Sequence, residues 1–496
     1  MATNEIRLQY SGFVIFAAKL ASIATGLAFQ LMVARSASVL EYGVWFNIGD
    51  VTAYFTILAG VFPFWALRFV ARARNGAVKT GVSANLAISL VAGLVYLLFT
   101  PLITSMLGVG QKYVLLYFLA SAQIIEVYAL NALESCLRAK IPHTLGFGLL
   151  LAEVFKIILG YVLVIRFQFS LFGALISMIV GLAVQLIYYL KLLFGEFKER
   201  VRWGYVREWA KGSIANIYNV VGNQIAAFIF IMLFTYGGEA ARGNYGAAAQ
   251  IANIITYSSF LAFALYPKLL AEKNSQDVSV SLKTVLMFAV PMTVGVLAIP
   301  DSYITILKSE YRDAWPVLMV LAVDALVATV STFFGFVLYG LEKFDEKAEI
   351  SFKELVKSRL FAAFSLSYIH SAITLPITYY VLTGYAQGQP VQPALAVAVI
   401  NSAARFAMFL ILYFMVRETA RIVIPWRNIG KYVFASMVMG CVLFGLRELL
   451  RPGRVYQILG LTAFGGLFYF ALLAAMDEEA RSLIKLALLE IGKFRA

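Results

Sequence analysis

Charge is scarce in this chain. Asp, Glu, Lys and Arg make up only 14% of its 496 residues, against about 25% in soluble globular proteins. Cysteine is scarcer still. Cys136 and Cys441 each sit within a hydrophobic segment and make no metal-ligand spacing, so they report neither a metal site nor a redox compartment. No G-x-x-x-x-G-K-[ST] loop is present to cradle a nucleotide phosphate, and no H-E-x-x-H, cysteine cluster or nucleophile elbow is present either. The one G-x-G, at Gly146 and Gly148, lies inside an apolar run and carries no signal. A membrane-embedded glycosyltransferase or ligase would need a catalytic base and usually a metal at an aqueous face, and neither is legible. The expectation is a protein that is not an enzyme and uses no cofactor.

What is abundant is apolar surface. Hydrophobic residues are 61% of the chain and the mean hydropathy is +0.82. A water-soluble protein cannot bury so much apolar area and still cover itself, so the lipid bilayer is the natural solvent. The net charge of +14 is then read as basic loops that fix membrane topology. No basic folded domain is present to bind nucleic acid.

A span needs about 20 mostly apolar residues. Candidates run near 11–34, 44–67, 82–106, 113–136, 144–165 and 169–193, then near 212–235, 244–267, 282–300, 315–340, 360–382 and 391–416. Two more follow near 430–446 and 456–476. The expected fold is an all-α polytopic membrane protein of about fourteen transmembrane helices. With the N-terminus inside, 29 of the 41 Lys and Arg fall in inside loops, nine in outside loops and three within spans. That bias places both termini in the cytoplasm of a cell-membrane protein. The longest connections, near 194–211 and 341–359, are amphipathic and basic and read as interfacial helices, as does the tail at 477–496. The six tryptophans, Trp45, Trp65, Trp203, Trp209, Trp315 and Trp426, lie near segment ends, where an aromatic belt would place them.

The chain also repeats itself. "EYGVWFNIGD" at 41–50 returns as "NYGAAAQIAN" at 244–253. At a constant offset Tyr42 meets Tyr245, Gly43 meets Gly246, Asn47 meets Gln250, Asp50 meets Asn253, and Tyr54 meets Tyr257. Both copies enter the second span of a six-span half. An even count makes this a parallel repeat about an axis along the membrane normal, with a substrate path expected between the halves. The expected organisation is a lobe at 1–193, a linker at 194–211, a second lobe at 212–416, two further spans within 417–476, and the tail. The Tyr-Gly pair reads as architecture, a turn and a tight helix start.

Asn47, Asp50 and Tyr54 are spaced as one helical stripe, as are Gln250, Asn253 and Tyr257. A polar stripe in a span should not face lipid. It either lines a cleft or makes helix–helix hydrogen bonds, and the sequence leaves both open. The seventh span adds Asn216, Asn219 and Asn223, with Lys19 opposite Asn219 in the repeat frame. Lys19, Asp50, Glu126, Glu134, Glu153, Lys156, Asp324, His370 and Arg405 all fall inside spans, where each charge needs a reason. Glu153 and Lys156 can pair at i,i+3. Lys19 either pairs with Asp50 or offers a cation to an anionic headgroup. Arg405 has no acid near it in sequence and its planar fork suits phosphate. Asp50, Glu126 and Asp324 are candidates for ion or proton coupling.

The opening segment resembles the polysaccharide-export branch of the multidrug/oligosaccharidyl-lipid/polysaccharide flippase superfamily. Ala34-Arg35, Tyr42-Gly43 and the basic run Arg68 to Arg72 carry the likeness. The resemblance implies two six-helix bundles around a cavity that alternates between inward and outward access. It implies a lipid-linked saccharide, a polyprenyl phosphate or diphosphate, as substrate. The candidate substrate-binding residues are Asn47, Asp50, Tyr54, Asn219, Gln250, Asn253 and Tyr257 from the stripes, with Lys19 and Arg405 as the cations that the cationic cavity implied by the resemblance would use. An arginine-rich cavity like that of peptidoglycan-precursor flippases is not visible. An ion-coupled multidrug exporter of the same superfamily is the second reading. The chain is expected to work as a monomer.

Overall fold

A computed structural model describes residues 8–262, 275–341, 358–385, 388–420, 424–478 and 481. All regular structure among these residues is helical, as bilayer-spanning backbone requires unless a closed barrel forms. The helices of the first part are α1 (Leu8–Ser36), α2 (Val39–Phe55), α3 (Val61–Ala71), α4 (Ala77–Met106), α5 (Val114–Lys140), α6 (Thr144–Gly160) and α7 (Ser170–Leu193). After a short turn come α8 (Trp203–Gly212), α9 (Ile214–Ala226), α10 (Phe228–Gly237) and α11 (Glu239–Thr256). The later helices are α12 (Ser275–Ala298), α13 (Pro300–Thr305), α14 (Trp315–Leu341), α15 (Arg359–Gly384), α16 (Val391–Ala420), α17 (Trp426–Leu450) and α18 (Val455–Met476).

The chain divides into two compact units. The first runs to Gly243, past the expected linker, and takes in Ser367–Leu375 of α15; the second begins at Asn244. In the first, α4 packs along α5, and α6 lies against both α1 and α7. A cluster from α3, α4, α5 and α7, with Leu133, Cys136, Leu137 and Tyr189, closes over the fully buried Trp209 of α8. In the second, α14 packs on α16, and α17 packs on α12 and α18. Its core joins Val285, Phe333, Val337, Tyr432 and Tyr469, and the Tyr469 hydroxyl donates to the Met287 carbonyl at 2.9 Å.

Eleven stretches among the described residues are long and apolar enough to cross a membrane. The count of fourteen is not reached on that measure, and two of the missing spans show why. The expected span 44–67 is two helices, because α2 stops at Phe55 and α3 starts at Val61. A break at this depth frees carbonyls that lipid cannot satisfy. Protein side chains do so instead: the Tyr128 hydroxyl donates to the Phe55 carbonyl at 3.0 Å and the Asn85 amide to Ala59 at 3.1 Å. The expected span 244–267 leaves the α-helix at Thr256 and tightens into a 3-10 turn over Tyr257–Ala262; 263–267 lie outside the described residues.

Helix α2 opens with a complete capping box. Ser38 accepts from the Glu41 backbone N–H and Glu41 reaches back to that of Ser38, so two N–H groups with no partner inside the helix are satisfied. Gly43 is therefore already inside the helix. Its Cα faces the first turn of α11, where an added Cβ would run into the Glu239 carbonyl. Gly243 faces back in the same way, towards the Val39 carbonyl and the Gly43 nitrogen. The Tyr-Gly glycine serves close backbone approach rather than a turn.

Of the tryptophans, Trp203, Trp315 and Trp426 have the exposure that a belt requires, while Trp45 and Trp209 are buried among protein side chains. The linker expected at 194–211 forms a 3-10 turn, Phe194–Lys198, followed by α8. Most of 341–359 and of the tail lies outside the described residues.

Candidate transport site

The first copy of the repeated stripe is consumed by contacts within its own unit. Asn47 is fully buried and accepts from the Tyr117 hydroxyl of α5. Asp50 holds Arg242 of α11 through two hydrogen bonds, at 2.7 and 2.9 Å. The same guanidinium lies 4.8 Å from the Phe46 ring centroid and 5.1 Å from that of Phe230. A planar cation is thus sandwiched by aromatics and forked onto a carboxylate, the arrangement arginine suits best. Asp50 is thus paired with Arg242. Tyr54 donates to the Gln224 carbonyl of α9 at 3.1 Å.

The second copy is different. Gln250 and Tyr257 are half-buried, and Asn253 is exposed. An exposed amide on an apolar helix faces water or a polar ligand more cheaply than it faces lipid.

The other charges sort by partner. Asp324 of α14, buried, forms an ion pair with Arg405 of α16. The acid that sequence proximity could not supply is 81 positions away. The Arg405 side chain is 38% exposed and that of Asp324 is 6% exposed. Glu153 of α6 receives Lys156 at 2.7 Å, as the i,i+3 spacing suggested. It also receives Ser22 at 3.0 Å and Thr25 at 2.6 Å from α1. Ser22 and Thr25 are themselves three apart on α1, a helical spacing legible in the sequence. Lys19 itself is exposed, and its charge acts on Glu134 of α5. Glu134 accepts from Gln185 of α7 at 3.0 Å.

Glu126 of α5 differs from the other two coupling candidates. It is buried, and its Oε2 meets no hydrogen-bond donor. One turn earlier, the Gln123 amide nitrogen is buried without an acceptor. Asp50 and Asp324 each have an arginine; Glu126 has no ion pair among the described residues. No group of three or more His, Cys, Asp or Glu that could hold a metal occurs among them either.

A second polar surface lies on α9 and the middle of α15. Asn223 is exposed and accepts from Ser367 at 2.6 Å. It donates back along its own helix to Asn219 at 3.4 Å. Beside them the rings of Tyr218 and Tyr368 stack, with centroids 4.5 Å apart and planes inclined by 22°. The Tyr368 hydroxyl donates to the Tyr218 carbonyl at 2.7 Å. Sequence reasoning found the asparagine stripe but not Ser367 and Tyr368, because they arrive from α15, 144 and 150 positions away.

Chemically, these surfaces carry amides and hydroxyls, groups that can hydrogen-bond neutral polyols.

No family model and no curated protein matches the sequence. Solved structures do match the fold. A lipid II flippase, MurJ, in an inward closed conformation superposes with a TM-score of 0.70 at 14% identity, covering 95% of this chain and all of that one. An inward-facing multidrug resistance MATE family transporter of the MOP superfamily gives 0.60 at 13% identity, covering 81% of this chain and 95% of the other. A MATE protein in its straight conformation gives 0.53 at 14% identity, with coverage of 84% and 96%. The chain shares its fold with these solved structures.

Proposed function

We propose that the protein is a flippase that moves a lipid-linked oligosaccharide, a polyprenyl phosphate or diphosphate, across the cytoplasmic membrane by alternating access. The observation that carries this reading is the set of polar side chains exposed or part-exposed on the helices: Lys19, Asn223, Asn253 and Arg405. A sugar headgroup cannot enter hydrocarbon because its hydroxyls would lose their hydrogen bonds. Amides at Asn219, Asn223 and Asn253, and the hydroxyl of Tyr257, replace water along its way. Lys19 and Arg405 are the candidate cations for the phosphate. The likeness to a lipid II flippase supports the class of cargo. The positive-inside bias supports both termini in the cytoplasm. The product serves polysaccharide or glycan assembly, and one chain suffices.

The second reading, an ion-coupled exporter of small amphipathic molecules, draws on the MATE structures and on Glu126, a buried carboxylate with no cation in contact. A cationic drug would favour such a group; a phosphate would not.

Reconstituted vesicles separate the two. A polyprenyl-diphosphate oligosaccharide is loaded into one leaflet, and its exposure to a membrane-impermeant glycosidase is timed. The flippase reading expects exposure well above protein-free vesicles, slowed at least tenfold by Lys19→Ala or Arg405→Ala. Exposure at the protein-free rate, with folded protein and gradient-driven efflux of a cationic dye, would replace it with the exporter.

A further inference from the structure

The linker between α7 and α9 is fixed to the first unit at several points. Trp209 is fully buried, edge-on to Phe69 with centroids 5.4 Å apart. Trp65 of α3 donates to the Ser213 hydroxyl at 2.9 Å. The Arg202 backbone N–H donates to Thr80 of α4 at 2.9 Å. Glu199 accepts the Gly76 N–H, and Gly76, at a positive φ of 77°, lies so close to the Arg200 carbonyl that a Cβ there would stand 2.5 Å away. These contacts hold the stretch Glu199–Arg202 beside the α3–α4 turn.

The outward side of this strap has a distinct chemistry. Arg72 and Arg74 on the turn and Arg200, Arg202, Arg207 and Lys211 on the linker are all exposed. The linker's acids do little to balance them. Glu196 is taken by Lys140 at 2.5 Å, Glu199 by the Gly76 N–H, and only Glu208 is exposed. Two large aromatics stand out from the same strap, Phe194 at 71% exposure and Trp203 at 63%. Rings left this bare beside a cluster of cations suit the headgroup layer of a membrane, where an apolar body and a charged neighbour are both satisfied.

We propose that this strap and the α3–α4 turn form a docking surface for the anionic phospholipid headgroups of the adjoining leaflet. The arginines and Lys211 neutralise headgroup phosphates, and Phe194 and Trp203 insert at the level of the glycerol backbone. Because the strap is pinned through Trp209 and Glu199, the surface is preformed and its cations need no ordering when lipid arrives. Positive-inside topology puts it on the cytoplasmic leaflet. The inference rests on charge and exposure in one unit and is independent of the cargo.

The test uses the full chain purified in neutral detergent, with retained lipid counted by native mass spectrometry during titration with phosphatidylglycerol or phosphatidylcholine. Wild type is expected to retain phosphatidylglycerol at concentrations about tenfold lower than phosphatidylcholine, with the difference shrinking as salt rises. R72Q/R74Q/R200Q/R202Q should remove the preference, the corresponding lysine variant should keep it, and R451Q/R454Q in the second unit should leave it intact. Equal retention of the two lipids by wild type, or a preference insensitive to salt, would overturn the proposal even if the glutamine variant failed to fold. So would an equal loss of preference in R451Q/R454Q.

Discussion

The two copies of the repeated stripe share a spacing and a residue pattern but not their surroundings. In the first, Asn47, Asp50 and Tyr54 each bind a neighbour: Tyr117, Arg242 and the Gln224 carbonyl. In the second, Asn253 is exposed and Gln250 and Tyr257 are half-buried. The change from Asp50 to Asn253 belongs to this difference. A carboxylate is tolerated at a membrane helix when a guanidinium is forked onto it, whereas a neutral amide can face a polar path alone. A polar stripe in a membrane helix is thus ambiguous between packing and lining, and in this chain the first copy is committed to packing.

The largest expected effect breaks the first copy. Asp50→Ala removes the carboxylate onto which the buried Arg242 is forked and should cost about 3–5 kcal/mol, read as a fall in thermal unfolding midpoint in detergent. The double variant Asp50→Ala/Arg242→Ala should recover part of that loss. Asn253→Ala should stay within about 0.5 kcal/mol of wild type while slowing translocation. Equal destabilisation at 50 and 253 would erase the distinction between the copies.

Next in size is Gly43→Ala. Its Cβ meets backbone atoms of Glu239, which cannot turn aside, so about 1–3 kcal/mol of stability should be lost, measurable by the same melt. Asn47→Ala deprives the buried Tyr117 hydroxyl of its acceptor and should cost about 1–3 kcal/mol. Gln250→Ala, at the matching position, should cost less than half as much.

The smallest stability effect is expected at Glu126. Glu126→Gln removes a buried charge that has no cation in contact, so stability should hold or rise. Asp324→Asn, which weakens the pairing of Arg405, should lower it. Flux measured with and without a proton gradient then sharpens the contrast. If Glu126 carries the coupling proton, its glutamine variant loses the gradient response and Asp50→Asn retains it.

Much of the fold was legible because hydropathy and loop charge are local. The pairing of Glu153 with Lys156 was legible for the same reason, since it spans one helical turn. The break between α2 and α3 was not: its residues are as apolar as a helix, and the groups that satisfy its carbonyls, Asn85 and Tyr128, come from other helices. The ion pairs of Asp50 and Asp324 join residues 192 and 81 positions apart, beyond any local spacing rule. At the candidate site the sequence showed the stripes but not which face of each helix was covered. Packing against α5, α9 and α11 decided that for the first copy.

The most direct test of the account is the accessibility of the two stripes. Single cysteines are placed at position 47 or 253 after Cys136 and Cys441 are replaced by serine, and a charged maleimide is applied to the reconstituted protein. The account expects rapid labelling at 253, slowed by a lipid-linked oligosaccharide, and negligible labelling at 47. Labelling at 47 as fast as at 253, or labelling at 253 that the saccharide lipid leaves unchanged, would contradict it.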